Sequence, residues 1–420
     1  MPVGISDMRL YVPKAHIELA SIVAHRSEQV PKLERRLRRA VDATGQIAIR
    51  FPAQWQDPVT LAAEAIAELL DESSAPHVRH LAVGTESSVD MSKPIAAYAH
   101  GVLQRAGVPL PRSLSTFQVQ HACAGGTIAL TSVAAMLSLA AQSSESGVVV
   151  CSDVARYQTP STAEITQGAG AVAMLVEPEA QLLQLDLTST GYASTDVDDF
   201  FRPLASVTAR VKGRYSVDCY NDALESAFED HAARSGVSAA EAIESSDLFV
   251  LHVPFYKMAV TALTRLVERK LGLDPAAAAA FLQERHFFAG IEATRRIGNI
   301  YSGSAYMSLM FALADAYRRL GDAVVGTTVT IASYGSGNTM TVLRGTVAPG
   351  AIAVLADWDL DAVVNGGEPA PFADYERFVE PEVYALTSGQ VATPEMVPPA
   401  SYFLREIRED GYRVYDYRSA

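Results

Sequence analysis

The sequence predicts an α/β protein built in layers, and three observations carry that reading. Short apolar runs ending in small residues alternate with stretches whose apolar positions recur at helical spacing. The order of these elements restarts near residue 180, so the second half parallels the first and the chain divides into residues 1–178 and 179–420, as a duplicated domain with its site between the halves would. Ala122 to Ala141 carries no formal charge and reads as a helix enclosed on every side.

Each element follows in order. GISDMRLYVP alternates as a strand does and stops at Pro13; an Arg-rich helical region then runs to about Ala43. Pro58 to Leu70 has a proline where helices begin and apolar residues at helical spacing. His80 to Glu86 is a buried strand that leaves a carboxylate where it opens into a loop, and Ser115 to Gly126 is a strand and turn carrying Cys123 into the enclosed helix. Gly147 to Ala155 and the small-residue run GAGAVAMLVEP are further central strands. In the second half, LLQLDLTSTGY is a strand, Tyr220 to Arg234 a helix, and Ser246 to Phe255 a strand bearing His252. A long helix starts at Lys257, a Gly-Asn turn feeds a helix within Arg295 to Tyr317, and Thr327 to Asn338 is a strand entering a Gly-Ser-Gly loop. The tail from Gly350, rich in Pro and acidic residues, is expected to wrap the surface without catalytic residues.

With 420 residues, 49% of them hydrophobic and 20% charged, the chain can bury a large core. A net charge of −14 argues against a nucleic-acid partner, because phosphate backbones call for clustered basic charge. Two local basic groups, Lys32/Arg35/Arg36/Arg38/Arg39 and Arg295/Arg296, are consistent with a solvated helix face or with contact to a phosphorylated ligand. The three cysteines, Cys123, Cys151 and Cys219, form neither a disulfide framework nor a metal-ligand spacing. No basic stretch followed by an apolar run opens the sequence, so a cytoplasmic protein is expected; the enclosed helix is too rich in Ala, Gly, Ser and Thr to read as a membrane span.

Five positions have the chemistry of a site. Cys123 stands among Ala122, Ala124, Gly125 and Gly126 at a helix start, where small neighbours admit a substrate and the helix end favours a thiolate. A thiol packed as a small hydrophobe is the alternative, and it is the one assigned to Cys151 and Cys219. His252 at a strand end can donate to or accept from a thioester, or be structural. Glu86 can act as a general base with a raised pKa, or cap the next helix. Asn299 and the Gly335-Ser336-Gly337 loop can donate to a developing oxyanion. Nucleophile, imidazole, carboxylate, amide and glycine loop together make the inventory of a thioester condensation.

The motifs VGTESSVDMSK, HACAGGT, SDVARY, TQGAGAVAMLV, DDFFRP, LHVPFYKM, IGNIYSGSAYMSL, SYGSGN and the terminal SYFLREIREDGYRVY, in this order, resemble those of the 3-hydroxy-3-methylglutaryl-CoA synthase family of the thiolase superfamily. The resemblance implies a thiolase-like fold, two duplicated halves in an α-β-α-β-α arrangement, and a homodimer. It implies that Cys123, Glu86, His252 and Asn299 are catalytic, and that Ser336, Gly335, Thr166, Asp153, Phe200, Tyr301 and Lys257 bind substrate or stabilise its oxyanion. The implied reaction joins an acetyl group on Cys123 to an acetoacetyl thioester of CoA or of an acyl carrier protein, with no metal, no cofactor and no membrane. The sequence departs from the family pattern at Ala124, where a Tyr usually follows the nucleophile; an alanine there is expected to enlarge the acyl pocket. A ketoacyl synthase III-like enzyme or acyltransferase, and a non-catalytic partner subunit on the same fold, are the competing readings.

Overall fold

The computed structural model describes residues 2–140, 144–204, 206–380 and 388–420. Nine strands form one sheet. Across it the order is Leu248–Leu251, Thr328–Gly335, Thr339–Val347, Leu183–Ser194, Val3–Tyr11, Gly168–Pro178, Ser146–Ala155, Val78–Gly84 and Ser115–Val119. The last five come from the first half of the chain and the first four from the second. They meet where Val3, Gly4 and Ile5 pair with Leu185, Gln184 and Leu183. A Cβ on Gly4 would lie 2.0 Å from the Leu183 carbonyl oxygen, so this seam needs a glycine.

The period-two alternation of side chains along each strand sorts them into layers. Val149, Cys151, Val172, Met174 and Val176, with Leu248, Val250, Val329 and Ile331, point into a common core. That core holds Leu130, Val133 and Leu137 of the helix Gly125–Ser138 and Met307, Leu309 and Leu313 of the helix Gly303–Leu320. The intervening residues face outward. Val148, Val150, Ala171 and Ala173 pack with the helices Pro58–Leu69 and Ile95–Arg105, whereas Phe249, Leu251, Ala332 and Tyr334 pack with Gly213–Arg234 and Tyr256–Leu271. Two central helices between two sheet halves, with helices outside each half, give the expected α-β-α-β-α layering.

Local rules explain the element ends. Asp57 accepts from the Val59 and Thr60 amides and closes a capping box ahead of Pro58, which starts that helix. The Arg-rich region is two helices, Leu19–Gln29 and Glu34–Thr44, separated by a turn at Pro31. The helix expected from Tyr220 starts earlier, at Gly213, and the strand Thr339–Val347 carried no sequence expectation. No described helix is long and apolar enough to cross a membrane. The tail corrects its expectation, because it does more than wrap the surface: Tyr375, Phe378, Phe403 and Tyr415 are buried, and Tyr375 reaches the side chains of Glu164 and Gln167 in the interior.

Candidate active site

Backbones approach one another closely around Cys123. A Cβ on Gly84 would fall 2.1 Å from the Gly126 amide nitrogen, one on Gly126 would fall 2.2 Å from Cys151 Sγ, and one on Gly335 would fall 2.6 Å from Ala124 Cβ. The strands ending at Gly84 and Gly335 therefore press directly on the start of the Gly125–Ser138 helix, which only glycines permit. Gly125 and Gly126, beside Cys123, thus permit this close packing. Ala124 is itself fully buried against Gly335 and is not among the residues lining the cavity.

Cys123, 6% exposed, lies at a cavity of ≈ 100 Å³ and donates from Sγ to Glu86 Oε2 at 3.5 Å. Burial, then the neighbouring Asp153 carboxylate, pushes the Glu86 carboxyl up to about 8, while the Arg202 guanidinium and hydrogen bonds from Cys123 and Tyr301 oppose that rise. Burial and the carboxylates of Glu86, Asp153 and Asp199 push the Cys123 thiol well above its usual range. Burial and these three acids thus act against the lowering expected of the helix start.

The second central helix supplies the opposite wall. Gly298, at φ 89°, lays the chain against Gln167 and Gly168, and Asn299 follows. Asn299 Oδ1 accepts from the Tyr301 amide at 2.8 Å and Ser304 Oγ at 3.2 Å, which leaves the amide nitrogen to bond the Tyr157 hydroxyl. Tyr157 also bonds Tyr301, and Tyr301 bonds Glu86, so a chain of hydroxyls joins Asn299 to the carboxylate. His252 sits just beyond its strand, its amide donating to Ala332 O at 2.8 Å and its carbonyl accepting from the Tyr220 hydroxyl at 2.9 Å. Burial lowers the imidazole to about 3, so it is neutral at ordinary pH, and its Nδ1 is buried with no hydrogen-bond partner among the described residues. A neutral imidazole with an orphaned nitrogen suits a substrate oxygen or hydroxyl.

Of the expected residues, Cys123, His252, Asn299, Thr166, Phe200, Tyr301 and Ser336 line one cavity, and Glu86 touches Cys123. Three others are placed differently. Asp153 lies behind Glu86, where its Oδ1 accepts from the Thr85 and Ser87 hydroxyls and from the Glu86 and Ser87 amides and so holds the carboxylate's loop, while its Oδ2 is buried with no partner among the described residues. Gly335 packs on Ala124 and His121 instead of lining the cavity. Lys257 points outward, its ammonium bonded to Asp42 O at 2.6 Å.

Several cavity or supporting residues escaped the sequence reading. Tyr157 and Tyr334 line the cavity, as do Ser216, Phe255 and Met258. Asp199, fully buried, accepts from the Tyr334 hydroxyl at 2.7 Å and the Gly337 amide at 2.9 Å. Tyr157, Tyr334, Asp199 and Arg202 stand inside or beside motifs already singled out, and their neighbours drew attention only because their side chains look more reactive. Among the described residues no cluster of His, Cys, Asp and Glu could hold a metal ion, and all three cysteines are free.

Comparison with known proteins bears directly on this arrangement. The models "Hydroxymethylglutaryl-coenzyme A synthase N terminal" and "C terminal" match residues 1–181 and 185–275. The hydroxymethylglutaryl-CoA synthase of Enterococcus faecalis is 29% identical over 351 residues, 83% of this chain and 84% of its own. The solved structure of MvaS in complex with 3-hydroxy-3-methylglutaryl coenzyme A is 31% identical, with a TM-score of 0.85 over 100% of this chain and 99% of that one. The curacin-pathway HMG synthase in complex with acetyl donor-ACP, 23% identical, shares the fold at a TM-score of 0.86 over 99% of this chain and 100% of that one. With its layered fold, its cysteine and carboxylate at the start of one central helix and its asparagine at the start of the other, the chain belongs to the hydroxymethylglutaryl-CoA synthase family.

Proposed function

We propose that Cys123 carries an acetyl group that is condensed with an acetoacetyl thioester to give the 3-hydroxy-3-methylglutaryl thioester. The observation that carries this reading is the buried Cys123–Glu86 contact at a cavity also lined by His252 and Asn299. Cys123 sulfur attacks the acetyl carbonyl; the new C–S bond forms as the donor's C–S bond breaks, and the thiol proton leaves with the departing thiolate. Glu86, as carboxylate, then takes a proton from the acetyl methyl group. The resulting carbanion equivalent attacks the ketone carbon of the acceptor, forming the C–C bond, and the alkoxide takes a proton back from Glu86. Water cleaves the Cys123 thioester, releasing the carboxylate product and restoring the thiol.

The raised pKa of Glu86 fits this double duty, because a carboxyl near 8 both takes and returns a proton at little cost near neutral pH. His252 and the Asn299 amide orient the acceptor's oxygens, and the amides of Cys123 and Ser336 receive the negative charge on the acetyl oxygen. Thr166, Phe200 and Tyr301 line the space left for the acyl chains. The intact carboxylate and thiol contact favours this enzyme over a non-catalytic subunit.

Two further parts of the reading concern partners. Lys32, Arg35, Arg36 and Arg39 are exposed on and beside the helix Glu34–Thr44. The end of that helix meets Tyr256 and Lys257, next to the cavity residues Phe255 and Met258, and Arg295 covers Tyr256 at 5.1 Å. This basic face is suited to the phosphates of CoA or of a carrier protein's phosphorylated arm, and acetylation is expected to slow as salt screens it. The strand Ser115–Val119 ends the sheet with an open edge bearing half-buried Phe117 and Val119, which suits pairing with a second copy in a homodimer. A monomer in sedimentation equilibrium would exclude that dimer.

Intact-protein mass spectrometry after exposure to acetyl-CoA tests the central step. An acetyl adduct is expected in the native chain and absent from Cys123→Ala, with turnover reduced on the order of 10⁴-fold or more. An adduct that persists in Cys123→Ala would refute the assignment.

A further inference from the structure

A buried polar relay runs from the tail to the cavity wall. Glu164, with no exposure, accepts from Arg26 Nε at 2.9 Å and Nη2 at 2.8 Å, and from the Tyr375 hydroxyl at 3.0 Å. That hydroxyl in turn accepts from Gln167 Nε2 at 2.8 Å, and Gln167 Oε1 accepts from the Tyr157 amide at 2.9 Å. Arg26, Glu164, Gln167 and Tyr375 are all at most 4% exposed. Three parts of the chain meet here: the helix Leu19–Gln29, the turn Glu164–Thr166 and the helix Phe372–Val379.

The relay borders the cavity without entering it. Ala163 and Thr166, on either side of the Glu164–Ile165 step, line the cavity, as does Tyr157. The Tyr157 hydroxyl bonds Asn299 and Tyr301. A buried ion pair is rarely more stabilising than apolar packing of the same volume, so stability alone is a weak reason for this arrangement. Directional bonds instead fix where Tyr157 and its wall stand, to the fraction of an ångström that a bimolecular step within a cavity demands.

We propose that Glu164, Gln167 and Tyr375 are positioning residues for the condensation, holding Tyr157 and the Ala163–Thr166 wall where the acceptor thioester meets Asn299. The proposal rests on the reading that Asn299 serves the acceptor. Acetylation of Cys123 needs the thiol and the oxyanion donors, none of which the relay touches; condensation also needs the Tyr157–Asn299 pair.

Tyr375→Phe removes one hydroxyl at nearly constant volume, and Gln167→Met removes the amide. In the full chain, acetylation of Cys123 is measured by single-turnover mass spectrometry, and condensation by kcat and KM for acetoacetyl-CoA. Each variant is expected to acetylate within about twofold of the native chain and to lose about tenfold in condensation kcat/KM, chiefly through KM. The double variant is expected to lose less than the product of the two single losses, because the Tyr375–Gln167 bond is shared by both. Unchanged condensation, additive losses, or acetylation and condensation falling together with the folded fraction would each overturn the proposal. A native chain that fails to acetylate Cys123 would instead overturn the proposed function.

Discussion

At the start of the Gly125–Ser138 helix the chain holds a thiol that donates to a carboxylate, and the surrounding backbone is packed so tightly that Gly84, Gly126 and Gly335 cannot bear a Cβ. At the start of the Gly303–Leu320 helix it holds an amide locked by its own turn, with Tyr301 N and Ser304 Oγ on Asn299 Oδ1. Both starts are preceded by a left-handed residue, Ala122 at φ 41° and Tyr301 at φ 48°. A similar backbone device thus serves opposite ends. One start crowds acids against a buried thiol and raises the pKa of each group, as a site for moving protons requires; the other fixes a neutral donor, as a site for orienting oxygen requires.

The largest expected effect lies on the proton-moving side. Glu86→Gln is expected to leave Cys123 able to accept acetyl but to slow condensation about 10³-fold. Because the Glu86 carboxyl is raised to about 8, the native chain holds it mainly protonated at pH 7; condensation is expected to accelerate as pH rises through about 8 and then level off. That limb should vanish in Glu86→Gln, and a persistent limb in the pH–rate profile would assign the base elsewhere. On the orienting side, Asn299→Ala is expected to cost about 10²-fold in condensation with acetylation intact. Equal losses in both half-reactions would erase the distinction between the two helix starts.

Smaller effects test the packing difference. Gly84→Ala drives a methyl into the Gly126 backbone, and thermal unfolding is expected to show a loss of about 1–3 kcal/mol. Gly303→Ala meets side chain rather than backbone, Ile300 Cδ1 at 2.9 Å and Cγ1 at 3.1 Å with Cys151 Cβ at 3.5 Å, and gains helix propensity; its stability is expected to stay within about 1 kcal/mol of the native chain. If the two variants behaved alike, the first helix start would be no tighter than the second.

Much of the fold was legible because strand and helix periods are local signals. The strands Val78–Gly84, Ser146–Ala155, Gly168–Pro178 and Thr328–Gly335 fall where apolar runs place them, each with the small residues that end or crowd it. The strand Thr339–Val347 was not legible: its run TMTVLRGTV is interrupted by Arg344 and Gly345, and its place is fixed by pairing on both sides. The cavity residues Cys123, His252 and Asn299, and Glu86 in contact with Cys123, were readable from their turns and motifs. Tyr157, Asp199 and Arg202 were not, because a phenol, a buried acid and a cation gain their roles from what stands across the cavity.

The sequence by itself determined the alternation of elements, the layered class, the family and the side chains that meet at the cavity, since each depends on residue type and spacing along the chain. Only the tertiary structure decided that the small residues beside Cys123 serve backbone contact, that Asp153 supports Glu86 and that Lys257 faces outward. It alone also revealed that burial among acids opposes the helix end at the thiol, and that the tail reaches the cavity wall through Tyr375. Each of these depends on distances between residues remote in sequence, and on the water excluded between them, which no local pattern encodes.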